Sequence, residues 1–160
     1  MKIADVTSAD LVAVLRLNQA SVPHVSGVDL ATMEWFAAHA HYFRIARVQE
    51  KLAGFLIGMR PGLPYESVNY RWFSDNYEDF GYVDRVAVSP TARRLGVASA
   101  LYQDFAATLR GHVDVMTCEV NIRPPNESSM RYHERQGFVR VGSQETEGGK
   151  KEVALLEMRL

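Results

Sequence analysis

Short apolar runs and amphipathic stretches alternate along the first sixty residues. Residues 2–6 form a short apolar run that leads into Thr7, a good helix cap, after which apolar side chains recur at helical spacing. Pro23 interrupts this helix, and Asp29 can cap a second one. The runs YFRIARV and LAGFLIGM, joined by the tight turn QEK, predict a β-hairpin over residues 42–59.

The alternation resumes after a stretch with no clear period. Residues 65–80 are dense in aromatic residues and turn formers, and Trp72, Phe73 and Tyr77 suit either core packing or an apolar wall of a binding site. Further along, the pattern predicts strands at 82–88 and 113–121, helices at 97–111 and 126–136, and a last hairpin. The order βααβββαβαββ indicates one α/β (α+β) domain over residues 1–160, with helices on both faces of a mixed sheet.

The composition is that of a globular protein. Of 160 residues, 47% are hydrophobic, and 18 basic against 19 acidic side chains give a net charge of −1. The hydrophobic share excludes a disordered chain, and the single Cys excludes a disulfide framework. The acidic start and the lack of a long apolar window predict a cytoplasmic protein without membrane contact. The charge balance gives no support to nucleic-acid binding.

His39 and His41 are two apart and lack carboxylate partners, so no metal is predicted.

The strongest chemical signal is the segment V-A-V-S-P-T-A-R-R-L-G-V-A-S, residues 86–99. A strand ends there and a helix begins near Gly96, and the N–H groups and dipole of a helix N-terminus bind phosphate. Arg93 and Arg94 add positive charge beside it. An ordinary strand–turn–helix is the plain alternative. An ATP loop is a weaker one, because no G-K-[ST] follows.

Two motifs in this part of the chain resemble those of a known superfamily. The first reads Arg93-x-x-Gly96-x-Ala98 after the strand DRVAV, and the second reads Asn126-x-x-Ser129-x-x-x-His133-x-x-x-Gly137-Phe138. They are similar to R/Q-x-x-G-x-G/A and N-x-x-A/S-x-x-x-Y-x-x-x-G-F of the GNAT (Gcn5-related N-acetyltransferase) superfamily. Both motifs, in order, span about residues 82–138. The resemblance implies a mixed, mostly antiparallel, twisted sheet flanked by helices, with two splayed central strands.

The resemblance also implies acetyl-CoA as co-substrate and a primary amine of a small molecule, amino acid or peptide as acceptor. The pyrophosphate is then expected on the backbone amides of residues 94–99 and the pantetheine arm beside residues 86–88. The expected cofactor contacts are Val86, Ala87, Val88, Arg93, Arg94, Gly96, Val97, Ala98 and Ser99, with Asn126, Ser129 and His133 nearer the pantetheine or the start of the second motif's helix. The alternative is a non-catalytic acyl-CoA-binding module on the same fold.

Acetyl transfer needs a base for the amine and a proton for the departing thiolate. His133 stands where the family usually has its acidic Tyr, so it is either an imidazolium acid or a polar group lining the site. Glu119 is the preferred base. Asp84 is a second candidate, with Tyr82 on the same side of its strand, although Asp84 could instead pair with Arg85.

The oligomeric state is left open between a monomer and a homodimer. The run VALLEM near the C-terminus is the predicted edge through which two copies could pair.

Overall fold

The computed structural model describes residues 1–160 and contains seven strands and five α-helices. The strands are β1 (Lys2–Asp5), β2 (Tyr42–Val48), β3 (Lys51–Met59), β4 (Gly81–Val88), β5 (Val115–Arg123), β6 (Val139–Thr146) and β7 (Lys151–Arg159). The helices are α1 (Leu11–Ala20), α2 (Leu30–His39), α3 (Val68–Asn76), α4 (Val97–Leu109) and α5 (Glu127–Gln136). None of the helices combines the length and apolar character of a membrane span.

The strands are hydrogen-bonded in the order β1-β2-β3-β4-β5-β7-β6. The pairs β1–β2, β2–β3, β5–β7 and β6–β7 are antiparallel, and β4–β5 is parallel. The parallel ladder covers two residue pairs, Gly81 with Met116 and Tyr82 with Thr117. This confirms the predicted mixed, mostly antiparallel sheet flanked by helices.

The element order differs from the predicted one by helix α3, which forms in the aromatic stretch. The Ser67 side chain caps it by accepting a hydrogen bond from the Tyr70 N–H at 3.2 Å. Tyr70 and Phe73 are three residues apart, so they share a helix face, and both are buried. Core packing therefore accounts for Phe73. The helical period is hard to see in the sequence because only these two residues of the helix are buried.

The chain divides into two compact units. The first comprises Met1–Met59 and Asp84–Thr108, and so holds β1 to β3, α1, α2, the end of β4 and nearly all of α4. The second comprises Arg60–Val83 and Leu109–Leu160, and so holds α3, the start of β4, β5 to β7 and α5. Each has its own set of buried apolar side chains. The single domain over residues 1–160 stays a prediction.

In the second unit, strand β7 is an inner strand. It pairs with β5 from Val115 to Arg123 and with β6 along the other side. The prediction that VALLEM offers a free edge for a second copy was wrong, because both edges of β7 already carry ladder hydrogen bonds. The outer strand on this side is β6.

Candidate active site

In the first unit, residues 89–96 form the loop that connects β4 to α4, and this loop is the candidate phosphate loop. The Ser89 N–H donates to the Ala53 carbonyl of β3 at 2.8 Å, which fixes where β4 ends. A single 3₁₀ turn follows, and then two residues with left-handed backbone, Arg94 (φ +66°) and Gly96 (φ +77°). Apart from Gly96 itself and its two chain neighbours, no residue has an atom within 4 Å of where a Cβ of Gly96 would stand. The loop backbone is therefore open to a ligand at this point.

Helix α4 begins at Val97 and presents its N-terminus at the end of this loop. The Ala100 N–H donates to the Gly96 carbonyl at 3.0 Å, so the N–H groups of the preceding turn have no acceptor inside the helix. Arg93 and Arg94 are exposed beside it. Amides, helix dipole and guanidinium groups together suit an anionic phosphate group.

In the second unit, the structure brings two of the predicted catalytic residues into contact. The Tyr82 hydroxyl donates a hydrogen bond to Glu119 Oε1 at 2.9 Å. Tyr82 is fully buried, and its ring lies 5.6 Å from the rings of Tyr70 and Phe73. The aromatic packing holds the phenol in place, and the phenol orients the carboxylate. A partly buried, oriented carboxylate is suited to accept a proton.

His133, on α5 of the second unit, is only 4% exposed. Its Nδ1 lies 2.7 Å from the Ser129 carbonyl oxygen, and a carbonyl only accepts, so Nδ1 carries the hydrogen. Burial lowers the pKa of His133, and the ring is therefore neutral at pH 7. In this tautomer Nε2 holds a lone pair and no proton. The geometry favours the polar-lining interpretation over the imidazolium acid.

The other residues of the second motif build the ends of α5. Asn126 is its N-cap and accepts a hydrogen bond from the Ser129 N–H at 3.4 Å. Gly137 follows the helix with a φ of +102°, the left-handed conformation in which glycine commonly ends helices. Phe138 packs edge-on against the His133 ring at 5.2 Å. The motif thus fixes the position of one helix and its buried imidazole.

Asp84 lies in the first unit and is ion-paired. Its Oδ2 is 2.7 Å from Arg85 Nε, and the two side chains are 3% and 5% exposed. Arg85 also donates to Asn18 Oδ1 and to the Ser26 carbonyl, each at 3.0 Å. The pairing with Arg85 that the sequence left open is the observed arrangement. Because the Arg85 guanidinium already occupies the Asp84 carboxylate, Glu119 remains the preferred candidate for the base.

The loop, Glu119 and helix α5 all lie within the part of the chain that a protein-family model matches. The family model described as "Acetyltransferase (GNAT) family" matches residues 11–138, about four-fifths of the chain. The chain belongs to the GNAT acetyltransferase family. The match contains both motifs, and this confirms the resemblance seen in the sequence. No curated protein matches the chain by sequence.

Solved structures share the fold of this GNAT protein over nearly its whole length. Ard1 from Thermoplasma volcanium is 18% identical, with a TM-score of 0.80 over 99% of this chain and 97% of that one. The ribosomal-protein-S18-alanine N-acetyltransferase from Escherichia coli is 16% identical, with a TM-score of 0.74 over 99% and 92%. A NatC complex bound to Gag peptide and CoA is 16% identical, with a TM-score of 0.75 over 100% and 99%. At these identities the likeness establishes the fold.

Residues outside the two motifs also hold β4 and its neighbours in place, and they were not predicted from the sequence. Asn18 and Ser26 bind Arg85 from 67 and 59 positions away, and no local pattern announces such pairings. Gly54 is a glycine inside strand β3, where such a residue commonly marks a close backbone approach. That signal was available in the sequence.

Proposed function

We propose that this GNAT protein transfers the acetyl group of acetyl-CoA to a primary amine. The observation that carries the proposal is the hydrogen bond from the buried Tyr82 hydroxyl to Glu119, which orients a carboxylate as a base. Family membership supplies the reaction class. Glu119 is the proposed catalytic residue, and Tyr82 is the positioning residue that holds it.

The loop at the start of α4 is the proposed seat of the CoA pyrophosphate. Its exposed backbone, the open space at Gly96 and the two arginines suit a dianionic group. Acetyl-CoA fits these residues by charge and by access. The NatC structure named above contains CoA, which supports the choice of CoA as ligand over a nucleoside triphosphate such as ATP.

The bond changes follow from the thioester and the amine. The acceptor ammonium first loses a proton, which passes through Glu119 to solvent, because only the neutral amine is nucleophilic. The amine nitrogen then bonds to the thioester carbonyl carbon, and the carbon–sulfur bond breaks. The nitrogen gives up a second proton and the thiolate takes one up. The products are an amide, free CoA and one proton released.

His133 is proposed as a polar lining residue that transfers no proton in this mechanism. A neutral imidazole whose only N–H faces the Ser129 carbonyl holds no proton for a leaving group. A thiol has an ordinary pKa of about 8.5, so the departing thiolate can take its proton from water. The absence of the usual Tyr therefore does not by itself make the protein a passive CoA-binding module.

The acceptor is proposed as an amine on a small molecule, amino acid or peptide. Two of the structural relatives bear on the choice. The Escherichia coli enzyme is named for an alanine of a ribosomal protein, and NatC was solved with a peptide. A panel of peptides with free N-termini, free amino acids and alkyl amines tests the acceptor class directly.

The decisive experiment measures thiol release from acetyl-CoA with this panel for the wild type, Glu119→Gln and Glu127→Gln. Glu127 is an exposed glutamate on α5 and serves as the matched control. Loss of the base should lower kcat by about 10²–10⁴-fold while the Kd for CoA stays within a few-fold, and the loss should shrink at higher pH. Tight CoA binding with no turnover on any amine would contradict the acetyltransferase proposal and favour the non-catalytic CoA-binding module. No binding of CoA at all would refute both.

A further inference from the structure

Gly54, in the middle of strand β3, lies against the two ends of the phosphate loop. A Cβ placed on this residue would stand 2.8 Å from the Ala87 carbonyl oxygen and 2.9 Å from Val97 Cγ1. The first atom belongs to the end of β4 and the second to the first residue of α4. Both distances are shorter than real Cβ contacts, so only glycine allows this approach.

The neighbouring residue of β3 also holds the loop. The Ala53 carbonyl accepts the Ser89 N–H at 2.8 Å, at the point where β4 gives way to the loop. Val97 is 2% exposed and anchors the other end of the loop in the core of the first unit. Strand β3 therefore touches the loop where the chain enters it and where α4 begins.

We propose that Gly54 is a positioning residue that sets the geometry of the anion-binding loop 89–97 from the adjacent strand. Without a side chain, Gly54 lets β4 and the first turn of α4 close onto β3. The amides of that turn are thereby held at a fixed distance from the end of β4. A methyl group would push Ala87 or Val97 away and widen the loop. The proposal rests on the proposed function only for the identity of the ligand, CoA.

Gly58 provides a matched control on the same strand. A Cβ there would meet the Phe105 ring at 2.5–2.8 Å, so Gly58→Ala also crowds the core. Phe105 lies eight residues further along α4 than Val97, and the crowding atoms are side-chain atoms. Both alanine variants should lose stability, whereas only Gly54→Ala should disturb the loop.

The test combines hydrogen exchange of the ligand-free protein with calorimetric titration of CoA. Gly54→Ala should speed exchange in peptides covering residues 86–99 by at least tenfold and weaken the Kd for CoA by at least tenfold. Gly58→Ala should leave both within about threefold of wild type. Adding Val97→Ala removes one of the two crowding atoms and should restore part of the protection in the Gly54→Ala background.

Each outcome discriminates. Wild-type exchange and affinity in folded Gly54→Ala would overturn the proposal, as would equal effects of the two glycine variants. If Gly54→Ala does not fold, the double variant with Val97→Ala is compared with Val97→Ala alone, because the Ala87 carbonyl still crowds a Cβ at position 54. Equal exchange in residues 86–99 of these two variants overturns the proposal. If the wild type binds no CoA, the proposed function fails, while the exchange measurements still decide the role of Gly54.

Discussion

The buried ion pair on β4 allows a stability prediction with a definite size. Arg85 donates through Nε to Asp84 and through Nη1 to Asn18 and the Ser26 carbonyl, and Nη2 donates to Ser26 Oγ at 3.1 Å. The guanidinium also lies 5.1 Å from the centre of the Phe36 ring. Replacing it by methionine keeps the stem and removes the charge, and leaves the Asp84 carboxylate buried without its cation.

Breaking one partner of a buried ion pair costs about 3–5 kcal/mol. For a chain of this size, each kcal/mol lowers Tm by roughly 2–4 °C. Arg85→Met should therefore lower Tm by roughly 6–20 °C. The segment around Ser26 should also lose protection from hydrogen exchange, because the guanidinium donates three hydrogen bonds to Asn18 and Ser26.

Urea unfolding of Arg85→Met, Asp84→Leu and the double variant measures the coupling, with Arg131→Met as control. Arg131 forms an exposed pair with Glu127 at 3.9 Å, and its loss should cost less than about 0.5 kcal/mol. The double variant should be more stable than the sum of the single losses implies, because it leaves no uncompensated charge. A loss under about 1 kcal/mol for Arg85→Met, or additive single losses, would refute this reasoning.

Three further predictions concern the motifs. Burial lowers the pKa of His133, so the neutral ring contributes fully to stability above pH ~6.5, and this contribution is lost as the pH falls. His133→Gln should therefore make the free energy of unfolding, measured with urea at pH 5 to 8, fall less steeply towards low pH. Tyr82→Phe should lower kcat with little change in the Kd for CoA, as steady-state kinetics and calorimetry will report, and an unchanged kcat would remove the phenol from the mechanism. CoA at 100 times its Kd should stabilise the wild type by ~2.7 kcal/mol, and Gly96→Glu should abolish that shift in thermal denaturation, since it puts a carboxylate at the phosphate site.

The sequence by itself determined most of the elements and the family. Period-two and helical patterns depend on local contacts and are written in consecutive residues, so strands and helices were placed to within a few residues. The two motifs are local as well, because each encloses one turn or one helix end. Helix α3 was not predicted, because only two of its residues, Tyr70 and Phe73, are buried and most of the others are polar.

The tertiary structure decided which side chains meet. Tyr82 reaches Glu119 across 37 residues, and Arg85 reaches Asn18 across 67, and such contacts depend on strand order, which no local pattern encodes. The same sheet order made β7 an inner strand. His133 is neutral because the surrounding chain buries it, and burial is a property of the folded core. The motif predicts that the imidazole lies on this helix, whereas the lowered pKa of His133 follows from its burial in the folded structure.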